Sequence, residues 1–323
     1  MARSKSTTTG TLAAIALLAL ASLTVAQVTP SETGTITVSE GVDLYFERYG
    51  ENPPTVFVPN HAELWIAFAP LLAQHDVVMW DPRGFGRSSR PDDLSNYSLD
   101  HEIADAEAIR RHFGVEKVSY IGISLWSNVG LNYAARHPES VERVVMLGPL
   151  PILAHQFEEV GNPPVHDTSE IEAVLAQMEA DGVPESDPDA FCRQQMLLFF
   201  NDSYYDMANM APLIEADVCQ YPNMHFDKLF EVAFLGTIGS FGDWDWTEVA
   251  ASVEPPILLL YGDHEAWSLE GVRAFTEVIP NVGWAEVERA GHHVFNDRPD
   301  FVYPAITAFL HGRWPEGVTV STR

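Results

Sequence analysis

Lysine is almost absent from this chain: only Lys5, Lys117 and Lys228 occur in 323 residues. Lysine and arginine together number 18 against 46 acidic residues, a formal net charge of −28. A surface so short of positive charge repels nucleic acid and anionic membrane, so neither is expected as a partner. Such a surface suits high salt, where self-repulsion is screened, and equally suits an ordinary acidic secreted protein. No glycine-rich phosphate loop opens a helix, so no nucleotide cofactor is implied. His101-Glu102 and His264-Glu265 each lack the second histidine, four residues on, that a zinc-binding helix needs. No internal repeat is present. The metal alternative, a cluster of His264, Glu265, His292 and His293, competes with a better use for two of those residues, given below. No metal and no cofactor are expected.

After residue 26 no long apolar run follows. The first residues have the form of an export signal: Arg3 and Lys5, an apolar stretch from Thr11 to Ala26, and Thr24-Val25-Ala26 as a small-residue cleavage site. A retained N-terminal anchor is the competing reading, although the stretch is short for a membrane span. Residues 1–26 are therefore assigned as a signal peptide, and the mature chain is expected to be secreted or periplasmic, away from the membrane. Cleavage would remove two positive charges and bring the net charge to −30. Cysteine is equally scarce, with Cys192 and Cys219 the only two. In an oxidising compartment a Cys192–Cys219 disulfide would contribute about 3–4 kcal/mol for a loop of this length; two buried thiols are the alternative.

What is present is a rhythm. Ile36-Thr37-Val38 and Leu44-Tyr45-Phe46 flank Ser39-Glu40-Gly41 as a hairpin. Buried strands are predicted over 55–58, 77–80, 118–121, 144–147 and 257–261, with 285–287 the last. A helix capped by Ser98 and closed by Gly114 carries Ile103, Ala106, Ile109 and Phe113 on one face, and another runs from Leu125 to Arg136. Strands alternating with helices predict a mostly parallel central sheet covered by helices on both sides. Between Pro149 and Pro255 the rhythm breaks into a helix-like segment rich in Met, Phe and Asp, too long for a structureless loop. The chain divides into an N-terminal core part at 27–150, a helical cap at 151–254 inserted after the sixth strand, and a C-terminal core part at 255–323. The cap would lie over the carboxyl ends of the strands, where open parallel sheets bind ligands.

Ser124 stands where the strand ending in Gly122-Ile123 meets the following helix. A serine hydroxyl is a poor nucleophile at neutral pH and has to be lifted onto a sharp turn within reach of a base. Gly122 suits that turn, because a side chain two residues upstream would collide with it. The glycine usual two residues after the serine is replaced by Trp126. Acyl transfer also needs an acid and an imidazole, in the order serine, acid, histidine. Gly262-Asp263-His264-Glu265 follows the late strand, and Gly291-His292-His293 follows the last.

With these pieces in order the chain resembles an α/β-hydrolase, and within that superfamily the proline iminopeptidase-like branch. The likeness runs from Val56 to Pro315. It rests on Asp81-Pro82-Arg83-Gly84-Phe85-Gly86-Arg87-Ser88, on Gly122 to Ser124 continuing through Tyr133-Ala134-Ala135-Arg136-His137-Pro138, and on Gly291-His292. The resemblance implies the α/β-hydrolase fold with Ser124 as nucleophile, His292 as base and Glu265 as acid. Asp263 is the alternative acid, His293 the alternative base, and Ser127, inside the helix, a weaker nucleophile. The oxyanion hole is expected from the amide of Leu125 plus that of His61 or Ala62. Trp126 and Asn60 are the residues expected to touch substrate, with Trp126 either packed in the core or plugging the pocket.

Three functions follow from this pattern. The first is hydrolysis of small, largely apolar carboxylic esters, or amides, through an acyl-enzyme. The second is aminopeptidase action on a peptide, with insert acids Glu170, Glu172, Glu179, Glu215 and Asp217 available to hold a free ammonium. The third is ligand binding without turnover on a hydrolase scaffold.

Overall fold

Strands rich in Val, Ile and Leu on both faces leave neither face suited to water, and the chain lays them side by side between two helical layers. A computed structural model describes residues 28–323; the segment read as a signal peptide, 1–26, lies outside the described residues. Nine strands among them form one sheet: β1 (Glu32–Ser39), β2 (Val42–Tyr49), β3 (Thr55–Pro59), β4 (Asp76–Trp80), β5 (Val118–Ile123), β6 (Val141–Leu147), β7 (Ile257–Gly262), β8 (Asn281–Val287) and β9 (Thr319–Thr322). Their spatial order is β1-β2-β4-β3-β5-β6-β7-β8-β9. The six strands from β4 to β8 in that order run parallel, while β1, β2 and β9 are antiparallel to their neighbours.

Alternation along each central strand feeds two separate cores. Phe57, Trp80, Tyr120, Val144 and Leu259 face the helices Leu99–His112 and Leu125–Arg136. Val58, Met79, Ile121, Val145 and Leu258 face the helix Pro299–Leu310 on the other side. The helix Leu99–His112 begins where expected: the Ser98 hydroxyl accepts from the His101 amide. The sheet does not end at Val287, as the sequence pattern predicts. Thr319–Thr322 adds an edge strand in register Asn281↔Thr322. Its side chains are mostly exposed, so no apolar run marks it; three β-branched residues and backbone pairing hold it.

Under the first core, the Glu107 carboxylate accepts from the Tyr133 hydroxyl (2.6 Å) and from Arg110 (2.7 and 3.0 Å). Burial pushes its pKa up, but these hydrogen bonds outweigh it and bring the carboxyl down to about 2. A carboxyl depressed in the folded state stabilises the fold at pH values above its unfolded pKa and loses that contribution as pH falls toward its folded pKa. Between pH 4.5 and about 2 the thermal midpoint of wild type is therefore expected to fall more steeply than that of Glu107→Gln. Parallel curves for the two proteins would contradict this.

The segment between β6 and β7 forms the helices Ser169–Ala180, Pro188–Phe199 and Ala211–Ala216, followed by Phe226–Phe230 running into a π-helical stretch, Glu231–Ile238. Cys192 and Cys219 form a disulfide with Cα atoms 5.8 Å apart, joining the second helix to the turn after the third. The two ends of the segment are tied together at its base: the Trp246 amide donates to the Ile152 carbonyl (2.9 Å) and the Ala154 amide to the Trp244 carbonyl (2.9 Å). The next helix, Thr247–Ser252, already packs with the core through Ala250 and Val253.

Candidate active site

At the end of β5 the chain turns so sharply that Ser124 adopts φ 55°, ψ −130°, a left-handed backbone that costs a non-glycine residue on the order of 1–3 kcal/mol. Gly122 permits it: a Cβ there would lie 2.3 Å from the Trp126 carbonyl oxygen and 2.5 Å from the Ser127 nitrogen, both backbone atoms. Ser127 pins the turn from inside, its hydroxyl donating to the Gly122 carbonyl (2.8 Å) and accepting from the Leu147 amide (3.1 Å). Fully buried and engaged in this way, Ser127 does not line the cavity. Ser124, by contrast, is partly exposed and lines a cavity of about 130 Å³ beneath the cap.

His292 lines the same cavity. Its Nδ1 lies 2.8 Å from Glu265 Oε1, on a carboxylate with no solvent exposure that also accepts from the Ala266 amide (3.0 Å). The Trp267 ring meets the imidazole edge-on, 4.4 Å between centroids. Gly148, with φ 50°, leaves room for the pair: a Cβ there would come within 2.8 Å of His292 Nδ1 and 3.0 Å of Glu265 Oε2. Asp263 is turned elsewhere, accepting from the Ala290 amide (3.2 Å) and contacting His264 Nδ1 at 2.7 Å. His293 sits behind His292, enclosed by Phe200, Tyr204 and Phe295. Burial, with His292 nearby, lowers its pKa well below the usual value, so it stays neutral. Among the described residues no group of three His, Cys, Asp or Glu side chains is placed to share a metal ion, so His264, Glu265, His292 and His293 do not form the alternative cluster.

The loop after β3 departs from expectation in one respect. The Ala62 amide donates to Asp81 Oδ1 (2.8 Å), a fully buried carboxylate, and is therefore not free to face an oxyanion. The His61 amide is left without a hydrogen-bond acceptor among the described residues, as is that of Leu125 at the start of the helix after Ser124. The His61 ring points away from the cavity, toward Tyr49 Oη (3.1 Å), Glu47 (3.1 Å) and Arg87 (2.6 Å). Arg87 in turn lies over the Tyr45 ring at 3.5 Å and reaches the Tyr221 ring of the inserted segment at 5.3 Å. Its amide binds the other Asp81 oxygen (2.9 Å), so one buried carboxylate fixes both the loop after β3 and the loop after β4.

Trp126 and Asn60 both line the cavity. Trp126 is buried and meets Phe85 edge-on at 5.6 Å; it forms a wall and leaves the cavity open. The remaining walls are apolar, with Leu64, Phe157, Phe200, Leu229, Phe234 and Trp267 among them. One acidic residue, Glu63, also lines the space, and sequence reasoning passed over it. Burial pushes its carboxyl above the usual range, against the Asn60 hydrogen bond and the nearby His292. A charged residue four positions past the end of a buried strand was the available signal. The insert acids Glu170, Glu172, Glu179 and Glu215 are all exposed and Asp217 is paired with Arg193 (2.8 Å); none of the five lines the cavity.

A family model described as alpha/beta hydrolase fold matches residues 58–299. A non-heme haloperoxidase from Rhodococcus erythropolis is 24% identical over 245 residues, 71% of this chain and 81% of that protein. A proline iminopeptidase from Lactobacillus helveticus is 22% identical over 271 residues, 80% of this chain and 91% of its own length. Among solved structures, a carboxylesterase from Bacillus subtilis superposes with a TM-score of 0.65 at 17% identity, covering 90% of this chain and 94% of that one. A proline iminopeptidase from Mycobacterium smegmatis gives 0.63 at 16% identity, covering 87% and 98%. The structural likenesses establish a shared fold across most of the chain.

Proposed function

Because the chain belongs to the α/β-hydrolase family, we propose that it is a serine hydrolase that cleaves carboxylic esters through an acyl-enzyme formed on Ser124. The observation that carries this reading is the pairing of His292 with the buried Glu265 in the cavity that Ser124 lines. Ser124 Oγ attacks the ester carbonyl while His292 Nε2 takes its proton. Glu265, held against Nδ1, keeps the imidazole in the tautomer that can accept at Nε2 and stabilises the imidazolium that results. The amides of Leu125 and His61 are the donors available to the oxyanion. His292 then protonates the departing alcohol, and a water activated by the same imidazole releases the acid.

The apolar walls favour esters with bulky apolar groups over peptides, and the placement of the insert acids away from the cavity removes the argument for an aminopeptidase built on them. A fluorophosphonate probe distinguishes catalysis from simple binding, since only an activated serine reacts. Wild type is expected to be labelled once per chain, at Ser124, and to hydrolyse 4-nitrophenyl esters in preference to proline naphthylamide. Absence of labelling would leave a ligand-binding protein; a preference for the naphthylamide would leave an aminopeptidase.

A further inference from the structure

An apolar cavity that contains a buried acceptor lacking a donor is a cavity shaped for a ligand that brings one. Asn60 Nδ2 donates to Glu63 Oε2 at 2.7 Å, which fixes the amide's orientation. Asn60 Oδ1 is then left buried with no hydrogen-bond partner, on a residue only 6% exposed. The second oxygen of Glu63 is 3.7 Å from the nearest imidazole nitrogen, on His293, too far for a good hydrogen bond. Both residues line the cavity that holds Ser124 and His292. A buried acceptor without a donor, such as Asn60 Oδ1, is rare in folded proteins because it forfeits its hydrogen bonds to water; Glu63, partly exposed, adds a free oxygen beside it.

We infer that Asn60 and Glu63 form a specificity subsite for a hydrogen-bond donor, an amine in its ammonium form or a hydroxyl, carried by the substrate close to its scissile carbonyl. This rests on the ester-hydrolase reading and narrows its substrate class. The position follows from the chain: Asn60, with φ 68°, immediately precedes His61, whose amide is the proposed oxyanion donor, and Glu63 lies in the same turn. A donor attached one or two atoms from the carbonyl would meet Asn60 Oδ1 and the free Glu63 oxygen, while the apolar remainder packs against Leu64, Trp126 and Phe200. The carboxylate favours the ammonium, and a chain of net charge −28 attracts cations in general.

Binding measured by calorimetry tests the subsite without requiring turnover. 2-Phenylethylamine and 2-phenylethanol match ethylbenzene in shape and differ from it in the donor. Wild type is expected to bind at least one of them about 10-fold or more tighter than ethylbenzene, the range of a hydrogen bond to a buried polar group. Glu63→Leu is expected to abolish the difference. Glu63→Gln separates the two donors, losing the preference for the amine and keeping that for the alcohol. Equal affinity of wild type for all three ligands would overturn the inference, and that comparison needs no variant to fold. Hydrolysis of the 4-nitrophenyl ester of 3-phenylpropanoic acid, which has no donor, reports separately on the ester-hydrolase reading: a failure there leaves the binding result intact.

Discussion

Purified Ser124→Ala is expected to hydrolyse 4-nitrophenyl esters about 10⁴-fold or more slowly than wild type, with an unchanged circular dichroism spectrum and thermal midpoint at least as high. The magnitude follows from what disappears: with no hydroxyl at the turn there is no acyl-enzyme, and only binding and the oxyanion donors remain to assist water. The fold is expected to survive because the ties from the turn to β6 are the Ser124 backbone amide, which donates to the Leu147 carbonyl (2.9 Å), and the Ser127 hydroxyl, and the substitution leaves both in place. His292→Ala is expected to lose a similar factor, and the double variant little more than either, since the two act as one unit. A rate for Ser124→Ala within tenfold of wild type would dismiss the acyl-enzyme.

The second large effect separates two carboxylates only two residues apart. Glu265→Gln is expected to lower turnover by about 10³- to 10⁴-fold, since an amide opposite Nδ1 can favour the wrong imidazole tautomer while the ring stays in place. Asp263→Asn is expected to change it less than about threefold, because Asp263 faces His264 and the Ala290 amide and does not reach His292. Steady-state rates on one ester, measured for both variants beside wild type, decide the matter. Comparable losses in the two would mean that the acid role is shared or misassigned.

The turn at Ser124 and the loops of Glu265 and His292 were legible because their signals are local. Gly122 before Ser124, a strand before and a helix after, describe one turn completely within about twenty residues. The order of Gly262-Asp263-His264-Glu265 and Gly291-His292 follows from two further strands. The choice between Glu265 and Asp263 was harder, since both stand in the same loop, and only the direction of each side chain separates them. What stayed hidden depends on partners far along the chain. Ala62 looks as available as His61 until Asp81, nineteen residues later, folds back onto its amide. Glu63 reads as one more acid in a chain with many, and the cavity it lines is completed by an inserted segment far along the chain, at Phe199, Phe200 and Ser203. Strand β9 has no apolar alternation because it lies at an open edge, so pattern alone does not reveal it.

The pinched base of the inserted segment has an evolutionary consequence. Its ends meet at Ile152–Ala154 and Trp244–Trp246, while the strands on either side, β6 and β7, pair directly with each other in register Val144↔Ile257. Between those two anchor points the segment can change length without shifting the register of β6 or β7, except where it grips the loops below: the Asn162 amide donates to the Glu265 carbonyl (2.9 Å) and the His293 amide to the Ser203 carbonyl (2.9 Å). A scaffold joined in this way leaves most of its roof free to be remodelled, while the stretches around Asn162 and Ser203 are held to the loops they touch.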